Sequence, residues 1–169
     1  MASRYLASTI NHFGANMTIQ YKRGDLFSTN IKTLVHGCNA QGVMGSGIAA
    51  AIRKLYPEAY QHYKAMYNSA TDKHASSLPL GAIYPAHSRG KLIINAITQR
   101  YYGRDNCRYC SYDAIDDAML SINTLCARDS IENIAMPKIG AGLGGGHWPI
   151  IESIINHRIT AAQCTVYEL

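Results

Sequence analysis

The spacing of apolar residues changes several times along the chain, and each spacing predicts an element. Residues 18–22 alternate between polar and apolar side chains, which predicts a strand at an exposed sheet edge. Residues 33–37 are mostly apolar, as expected for an interior strand that is buried on both faces. Residues 48–55 are strong helix formers, and Pro57 then opens a second helix that ends near Asn68.

The rest of the chain continues to alternate between strands and helices. A polar loop is predicted over residues 69–80. Four more strands follow from apolar runs, at residues 82–86, 92–98, 133–137 and 164–169. Ser111 is in the position of a helix N-cap, because apolar residues follow it at helical spacing. Trp148 starts a final helix that runs through Asn156.

The predicted order of elements is β-β-α-α-β-β-α-β-α-β, and its helices are long enough to serve as crossover connections. This order predicts an α/β fold of three layers, α/β/α, with a mixed central sheet and helices on both faces. Residues 1–16 show no clear period and are interpreted as an N-terminal tail or leader, so that Met17 could be the natural start. Residues 17–169 then form one domain, since neither a linker nor a repeat interrupts them.

Composition narrows the class of protein. The chain has 169 residues, 47% of them apolar and 16% charged, which is typical of a globular domain. It contains no apolar run of the roughly 18 residues that a membrane-spanning helix needs, and its N-terminal segment lacks the features of a secretion signal. We therefore expect a cytoplasmic protein without a membrane partner.

The net charge of +5 favours anionic partners such as phosphorylated metabolites, nucleic acids or lipid headgroups, although it could also serve only solubility. Basic residues are scattered, apart from a concentration in which arginines and tyrosines alternate. Its members are Arg100, Tyr101, Tyr102, Arg104, Arg108 and Tyr109. A nucleic-acid-binding module centred on this stretch is one alternative, and a basic stretch near the mouth of a pocket is the other.

The five cysteines do not predict a disulfide framework, because their number is odd and no secretion signal precedes them. Cys107 and Cys110 form a C-x-x-C pair that could be half of a zinc site, but no second pair accompanies it. Cys126 and Cys164 fall in helical and strand patterns, where a thiol acts as a small core residue. Acidic residues do not cluster either, so neither a metal nor another cofactor is predicted.

Two glycine-rich loops are the strongest chemical signal. Residues 39–47 and 140–146 each follow a predicted strand and lead into a helix. Glycine lets the backbone approach a ligand closely, and the amides of a first helical turn attract anionic oxygens. Two such loops at the carboxyl ends of strands in one sheet would face a common crevice and suit a diphosphate. Neither loop has the pattern of a Rossmann or a Walker site, and glycines needed only for tight turns remain an alternative.

Four segments together resemble the macrodomain family. They read GDLF at residues 24–27, VHGCNAQGVMGSGIAAAI at 35–52, MPKIGAGLGGGHW at 136–148 and VYEL at 166–169. The resemblance covers roughly residues 17–169, and it is greatest to one branch of the family. That branch contains ADP-ribose-1″-phosphate phosphatases of the phage and yeast type, the terminal ADP-ribose protein glycohydrolase, and antitoxin macrodomains that remove ADP-ribose from DNA.

The resemblance implies roles for individual residues. Asp25 would accept a hydrogen bond from the adenine amino group, and Asn39 would fix the distal ribose. Residues 45–48 and 139–144 would cradle the diphosphate. The implied substrate-binding residues are Asp25, Leu26, Asn39, Gln41, Met44, Gly45, Ser46, Gly47, Ile48, Thr98, Gln99, Ile139, Gly140, Ala141, Gly142, Leu143, Gly144 and Leu169.

The sequence departs from this branch at two positions. Where glycohydrolases carry a catalytic lysine after the central strand, this chain has Gln99, whose amide is not a nucleophile near neutral pH. The second loop also lacks the acid of that branch, since its candidates are Gly144 and His147. Both departures count against cleavage of ADP-ribose from protein or DNA by the lysine route.

The resemblance together with these departures predicts a metal-independent phosphatase that converts ADP-ribose 1″-phosphate to ADP-ribose. The catalytic candidates are His36, Asn39 and His147, and the two imidazoles could act as general base or acid. His36 stands where relatives often have asparagine. The alternatives are a non-catalytic reader of ADP-ribose and an ADP-ribosyl hydrolase that works without the lysine. We expect a monomer whose partner is ADP-ribose or ADP-ribose 1″-phosphate, and we do not expect nucleic acid as a partner.

Overall fold

The computed structural model describes residues 19–73 and 75–168, so the predicted tail at 1–16, Met17 and Leu169 lie outside the described residues. The elements of this part of the chain are β1 Gln20–Arg23, β2 Thr33–Asn39, α1 Gly47–Leu55, α2 Pro57–Asp72, β3 Ile83–Ser88, β4 Lys91–Gln99, α3 Tyr112–Asp129, β5 Asn133–Pro137, α4 Trp148–Arg158 and β6 Gln163–Glu168. Their order matches the predicted order. A short 3-10 turn, Leu26–Ser28, follows β1 and was not predicted.

The six strands form one mixed sheet in the order β1-β6-β5-β2-β4-β3. The first five strands in this order run parallel to their neighbours, and β3 is antiparallel to β4 at the edge. Parallel neighbours need crossover connections, which the helices supply. As a result, the carboxyl ends of five strands meet at the same edge of the sheet.

Each face of the sheet packs against two helices, as the predicted three-layer α/β/α arrangement requires. Leu34 of β2 belongs to the core cluster that contains residues of α1 and α2, and its neighbour Val35 belongs to the cluster that contains residues of α3 and α4. Successive side chains of a strand point to opposite faces, so a strand covered on both sides must be apolar at nearly every position. This requirement explains the continuous apolar run that predicted β2.

Several helix ends follow from the residues that occupy them. Ser111 Oγ accepts a hydrogen bond from the backbone amide of Ala114 at 3.2 Å, which confirms Ser111 as the N-cap of α3. Pro57 opens α2, again as predicted.

None of the helices among the described residues combines the length and the apolar character needed to cross a membrane.

Several predicted ends fall short of the observed ones, including those of β3 and α4, which continue to Ser88 and Arg158. Strand β2 continues to Asn39, two residues beyond the predicted end, because residues 38 and 39 still pair with β4. Helix α2 continues to Asp72, so the first part of the predicted polar loop at 69–80 is helical. Its last turn is polar in sequence, but Ala70 packs against the core and the Thr71 hydroxyl donates to the Asn68 carbonyl at 2.8 Å.

Candidate functional site

A cavity of about 1210 Å³ opens at the carboxyl ends of β1, β6, β5, β2 and β4. Both glycine-rich loops contribute to its walls, as the sequence predicted. The expected ligand-binding residues that line it are Asp25, Leu26, Asn39, Gly45, Ser46, Gly47, Ile48, Thr98, Gln99, Ile139, Gly140, Ala141, Gly142, Leu143 and Gly144. Open parallel sheets bind ligands at this edge, and the volume suits a small organic ligand.

The first glycine-rich loop is held in place by Asn39. Its side-chain Oδ1 accepts from the Gln41 amide at 2.9 Å, and its Nδ2 donates to the Val43 carbonyl at 2.6 Å. The buried Tyr63 hydroxyl lies 3.0 Å from the same Oδ1 and donates to the Asn39 carbonyl at 2.8 Å. Asn39 lines the cavity, but most of the hydrogen-bonding capacity of its side chain is used to shape the loop.

Helix α1 begins where this loop reaches the cavity. Ser46 is its N-cap, and the first amide that bonds within the helix is that of Ala50, which donates to the Ser46 carbonyl at 3.2 Å. The amides of Gly47, Ile48 and Ala49 therefore have no acceptor within residues 19–73 and 75–168. No acidic side chain stands in this first turn. These amides and the positive end of the helix dipole can receive an anion.

The second glycine-rich loop presents a similar row of amides. Those of Gly142, Leu143 and Gly144 donate no hydrogen bond to any described residue. The loop depends on glycine at Gly140, whose φ of +74° is unfavourable for other residues and whose added Cβ would come within 3.0 Å of Ile115 Cδ1. The backbone therefore turns at residue 140 in a conformation that favours glycine, and the residues that follow line the cavity.

The two loops approach each other across the cavity. A Cβ built on Gly47 would lie 3.6 Å from Cδ1 of Leu143, and the Leu143 side chain is half exposed. The two rows of unpaired amides thus belong to neighbouring segments of the same cavity wall. Such an arrangement can hold two linked anionic groups, one on each row of amides.

One end of the cavity lies at β1 and β6. Asp25 caps the 3-10 turn, since its Oδ1 accepts from the Phe27 amide at 2.9 Å and its Oδ2 from the Ser28 hydroxyl at 3.1 Å. The Gly24 amide donates to the Glu168 carbonyl at 2.8 Å and fixes this turn to β6. Asp25 therefore stabilises the 3-10 turn, in addition to the ligand contact that the sequence predicted for it.

The other end of the cavity lies at β4. The Thr98 hydroxyl is buried and has no hydrogen-bond partner among the described residues. It lies beside Gly37, where an added Cβ would come within 2.8 Å of Thr98 Oγ1. Gln99 Nε2 donates to the Tyr101 carbonyl at 2.7 Å, so its amide holds the segment that follows β4.

His36 does not line the cavity. Its ring is 1% exposed and lies between the sheet and α2, where Nε2 is 2.7 Å from Oδ1 of Asn95. Burial lowers the pKa of His36 to about 4, against a smaller opposing effect of the hydrogen bond to Asn95. The hypothesis that His36 is a general base conflicts with this placement, because water and substrate cannot reach the ring.

His147 is also absent from the cavity wall. It is exposed at the N-cap of α4, and its backbone amide donates to the Tyr112 hydroxyl at 3.0 Å. Two further predicted contacts, Met44 and Gln41, are not among the lining residues either, and Met44 is buried in the core. Leu169 lies outside the described residues. The described residues of the cavity wall thus include no imidazole.

Sequence reasoning missed other residues that line the cavity. They are Arg23, Gly24, Phe27, Gly37, Cys38, Val43, Ala49, Tyr102, Gly103, Arg104, Pro137, Lys138, Tyr167 and Glu168. Most of them lie inside the four segments that carry the family resemblance, and Arg23 directly precedes the first segment. Tyr102 and Arg104 had been noted only as part of a basic stretch. Cys38 is not a nucleophile candidate, because burial raises the pKa of its thiol.

The described residues contain no cluster of His, Cys, Asp or Glu suited to a metal ion. Cys110 of the C-x-x-C pair is buried, whereas Cys107 is exposed. The pair is therefore not a zinc half-site supported by other ligands.

The chain is similar to known proteins over most of its length. The family model described as Macro domain matches residues 35–155. A 17.5 kDa protein from the tk–vs intergenic region of Enterobacteria phage T4 is 30% identical, over 83% of this chain and 89% of the phage protein. An ADP-ribose 1″-phosphate phosphatase of Lodderomyces elongisporus is 27% identical, over 89% of this chain and 98% of the yeast protein. A DNA ADP-ribosyl glycohydrolase of Thermus aquaticus is also 27% identical, but this chain spans only 39% of it.

Solved structures share the fold of this chain. A protein from Bacteroides thetaiotaomicron superposes with a TM-score of 0.77 at 27% identity, covering 90% of this chain and 99% of that one. A Thermosipho africanus protein solved in complex with ADP-ribose shares the fold, with a TM-score of 0.71 at 20% identity over 89% of this chain and 42% of that one. The family model covers well over half of the chain, and the four motifs recognised in the sequence lie around one cavity, so the chain belongs to the Macro domain family.

Proposed function

We propose that this chain binds ADP-ribose in the cavity and hydrolyses ADP-ribose 1″-phosphate to ADP-ribose and inorganic phosphate. The observation that carries the proposal is the presence of two rows of unpaired backbone amides in the wall of one cavity. The amides of Gly47, Ile48 and Ala49 and those of Gly142, Leu143 and Gly144 lack acceptors among the described residues and line the same cavity. A diphosphate would supply acceptor oxygens to both rows.

The strand order suggests how the ligand lies. The diphosphate would sit between the two loops, near the centre of the sheet edge. Asp25, Phe27 and Tyr167 would surround the adenine at the β1 and β6 end. The terminal ribose would then lie near Asn39 and Gln99, where β2 and β4 end.

The absence of the lysine favours a phosphatase over an ADP-ribosyl hydrolase. Gln99 occupies that place, and its side-chain amide is engaged with the Tyr101 carbonyl. Full-length similarity to a yeast ADP-ribose 1″-phosphate phosphatase supports the same choice. The similarity to the Thermus glycohydrolase equally supports ADP-ribose binding in this cavity, but it covers a smaller share of that protein.

The chemistry can proceed without an imidazole. Phosphate monoesters react through a loose transition state, in which the incoming water needs little activation and charge stabilisation contributes most. Water would attack phosphorus, and the bond from phosphorus to the anomeric oxygen of the ribose would break. A proton of the attacking water would pass through a phosphate oxygen to the departing sugar oxygen. A slow, metal-independent reaction is expected from this arrangement.

Two measurements test the proposal in sequence. Calorimetric titration with ADP-ribose should show saturable one-to-one binding, whereas AMP should bind more weakly because it cannot reach both amide rows. Release of inorganic phosphate from ADP-ribose 1″-phosphate should then be measured with and without a chelator. Failure to bind ADP-ribose at millimolar concentration would remove the proposal, and tight binding without turnover would identify a reader.

A further inference from the structure

We propose that Arg104 forms an anion subsite at the terminal-ribose end of the cavity and binds the phosphate substituent on that ribose. The inference rests on the proposed function and adds a specificity-determining residue to it. Arg104 belongs to the segment between β4 and α3, residues 100–110, which we call the 100–110 loop. Tyr102, Gly103 and Arg104 are the residues of this loop that line the cavity.

The position of the 100–110 loop follows from the sheet. β4 is separated from β1 by three strands, so the loop lies at the far side of the cavity from Asp25. Gln99 also forms an isolated antiparallel bridge with Cys110, which closes the base of the loop. A ligand whose adenine contacts Asp25 would therefore extend toward Arg104 with its other end.

The guanidinium of Arg104 is exposed and has no hydrogen bond, ion pair or ring contact with any residue that the structure describes. The other arginines of the loop are engaged. Arg100 Nη1 donates to the Ser77 hydroxyl at 2.8 Å, and Arg108 lies 4.6 Å from the ring centroid of Tyr112. The nearby Asp105 carboxylate is hydrogen-bonded to the Tyr109 hydroxyl rather than to Arg104.

The other basic residues of the cavity wall lie away from the terminal-ribose end. Lys138 pairs with Glu168 at 2.5 Å, on the β5 and β6 side, and Arg23 lies beside them at β1. Among the described residues that line the cavity, Arg104 is therefore the charged group on the β4 side. An anionic substituent on the terminal ribose would find its counter-charge there.

The 100–110 loop is attached firmly enough to position an arginine. The Gly144 carbonyl accepts hydrogen bonds from the amides of both Tyr109 and Cys110, each at 2.9 Å, which joins the loop to the second glycine-rich loop. Gln99 Nε2 holds the Tyr101 carbonyl at the other end. A Cβ added to Gly103 would overlap the Tyr109 hydroxyl, so the backbone at residue 103 packs directly against that ring.

A guanidinium suits this task chemically. It presents two parallel N–H groups that match two oxygens of a phosphate, and it remains charged at every physiological pH. Placed at the transferring phosphoryl group, it would also stabilise the charge on the equatorial oxygens during hydrolysis. Because Arg104 is exposed, the interaction should weaken as salt screens the two charges.

The experiment compares Arg104→Gln with Arg100→Gln, a variant that removes the same charge from the same loop but not from the cavity wall. The KM for ADP-ribose 1″-phosphate and the Kd for ADP-ribose are measured for each, with the Kd of ADP-ribose 1″-phosphate replacing the KM if turnover is absent. Arg104→Gln should raise the KM, or the Kd, for ADP-ribose 1″-phosphate at least tenfold and leave the Kd for ADP-ribose within twofold of wild type. Arg100→Gln should change each of these constants by less than twofold.

Other results would overturn the subsite. An equal loss for both ligands would mean that Arg104 contacts the ADP portion, and no loss for either would mean that it contacts neither. A wild-type protein that fails to bind ADP-ribose would instead remove the proposed function itself. Arg104→Lys should recover part of the affinity, because it restores the charge without the paired N–H groups. The wild-type preference for the phosphorylated ligand should also shrink with added salt, and it should shrink less in Arg104→Gln.

Discussion

Nε2 of His36 lies 2.7 Å from Oδ1 of Asn95, and both side chains are completely enclosed by the protein. The amide of Asn95 donates in turn to the carbonyls of Ala59 and Tyr84, each at 3.1 Å. This chain of hydrogen bonds joins β2, β4, α2 and β3. Since Asn95 Oδ1 can only accept, Nε2 of His36 carries a proton, and burial, which lowers the pKa of His36 to about 4, favours the neutral ring near pH 7. This placement favours a structural role for the imidazole over proton transfer at the cavity.

The buried imidazole should make stability depend on pH. The pKa of His36 falls from the usual 6.5 to about 4, because burial disfavours the charged ring. Between these two pH values the unfolded state binds a proton that the native state does not, so stability is full above pH 6.5 and declines as the pH falls toward 4. The free energy of unfolding should drop by about 3 kcal/mol over this interval. Urea unfolding at a series of pH values measures it.

The comparison that isolates this effect is His36→Gln against His147→Gln. Glutamine at position 36 can still donate to Asn95 but cannot titrate, so the decline between pH 6.5 and 4 should become shallower by about 3 kcal/mol. His147→Gln removes an exposed imidazole and should leave the wild-type slope. Both variants should release phosphate from ADP-ribose 1″-phosphate within about threefold of wild type. A tenfold loss in His36→Gln at unchanged stability would restore the imidazole as a catalytic group.

The carboxylate of Asp25 should contribute directly to binding of the adenine. Asp25→Asn keeps an oxygen that can cap the 3-10 turn but removes the charge, and Asp25→Ala removes both. We expect Asp25→Ala to weaken ADP-ribose by about 1.5–3 kcal/mol, the range for a hydrogen bond to a charged group. Calorimetric titration measures the change, with Asp129→Asn as a control that alters an exposed pair with Arg128. Wild-type affinity in a folded Asp25→Ala protein would mean that the adenine lies elsewhere.

The sequence predicted the sheet and the two loops because those features depend on local patterns. Apolar runs revealed β2 and β4, and the glycines of the second loop revealed a backbone that only glycine can follow at Gly140. The environment of His36 could not be predicted, because it depends on Asn95, which is 59 positions away in sequence. The sequence offered a position near a pocket mouth as one alternative for the basic stretch that contains Arg104, but a loop without periodicity does not indicate which of its side chains line the cavity.

The hydroxyl of Thr98 should reduce stability rather than add to it. It is buried without a hydrogen-bond partner among the described residues, and burial of an unpaired hydroxyl costs roughly 1–3 kcal/mol. Thr98→Val replaces the hydroxyl with a methyl group of similar size, so the free energy of unfolding should rise by about 1 kcal/mol. Thermal and urea unfolding measure the change.

Thr124→Val is the matched control, because the Thr124 hydroxyl is satisfied by the Leu120 carbonyl at 3.0 Å and no gain is expected there. ADP-ribose affinity should stay within about twofold in Thr98→Val, because Thr98 lines the cavity but its hydroxyl is buried beside Gly37. A fall in stability would show instead that the hydroxyl has a partner such as a bound water. A large loss of affinity would show that the ligand reaches it.

Substitutions in the second glycine-rich loop should separate binding from folding. The φ of Gly142 is not in the left-handed region, and a Cβ built there meets no atom within 4 Å, so valine fits the fold but projects into the space for the diphosphate. Gly142→Val should keep the free energy of unfolding within about 0.5 kcal/mol of wild type and weaken the binding of ADP-ribose at least tenfold.

Gly140→Ala should instead lower stability. The φ of +74° at residue 140 and the approach of the new Cβ to Ile115 should lower the free energy of unfolding by about 1–2 kcal/mol. Thermal unfolding and calorimetric titration of both variants measure the two effects. If folded Gly142→Val bound ADP-ribose as tightly as wild type, the diphosphate would not lie on this loop. If it were as unstable as Gly140→Ala, valine would not fit the backbone at residue 142.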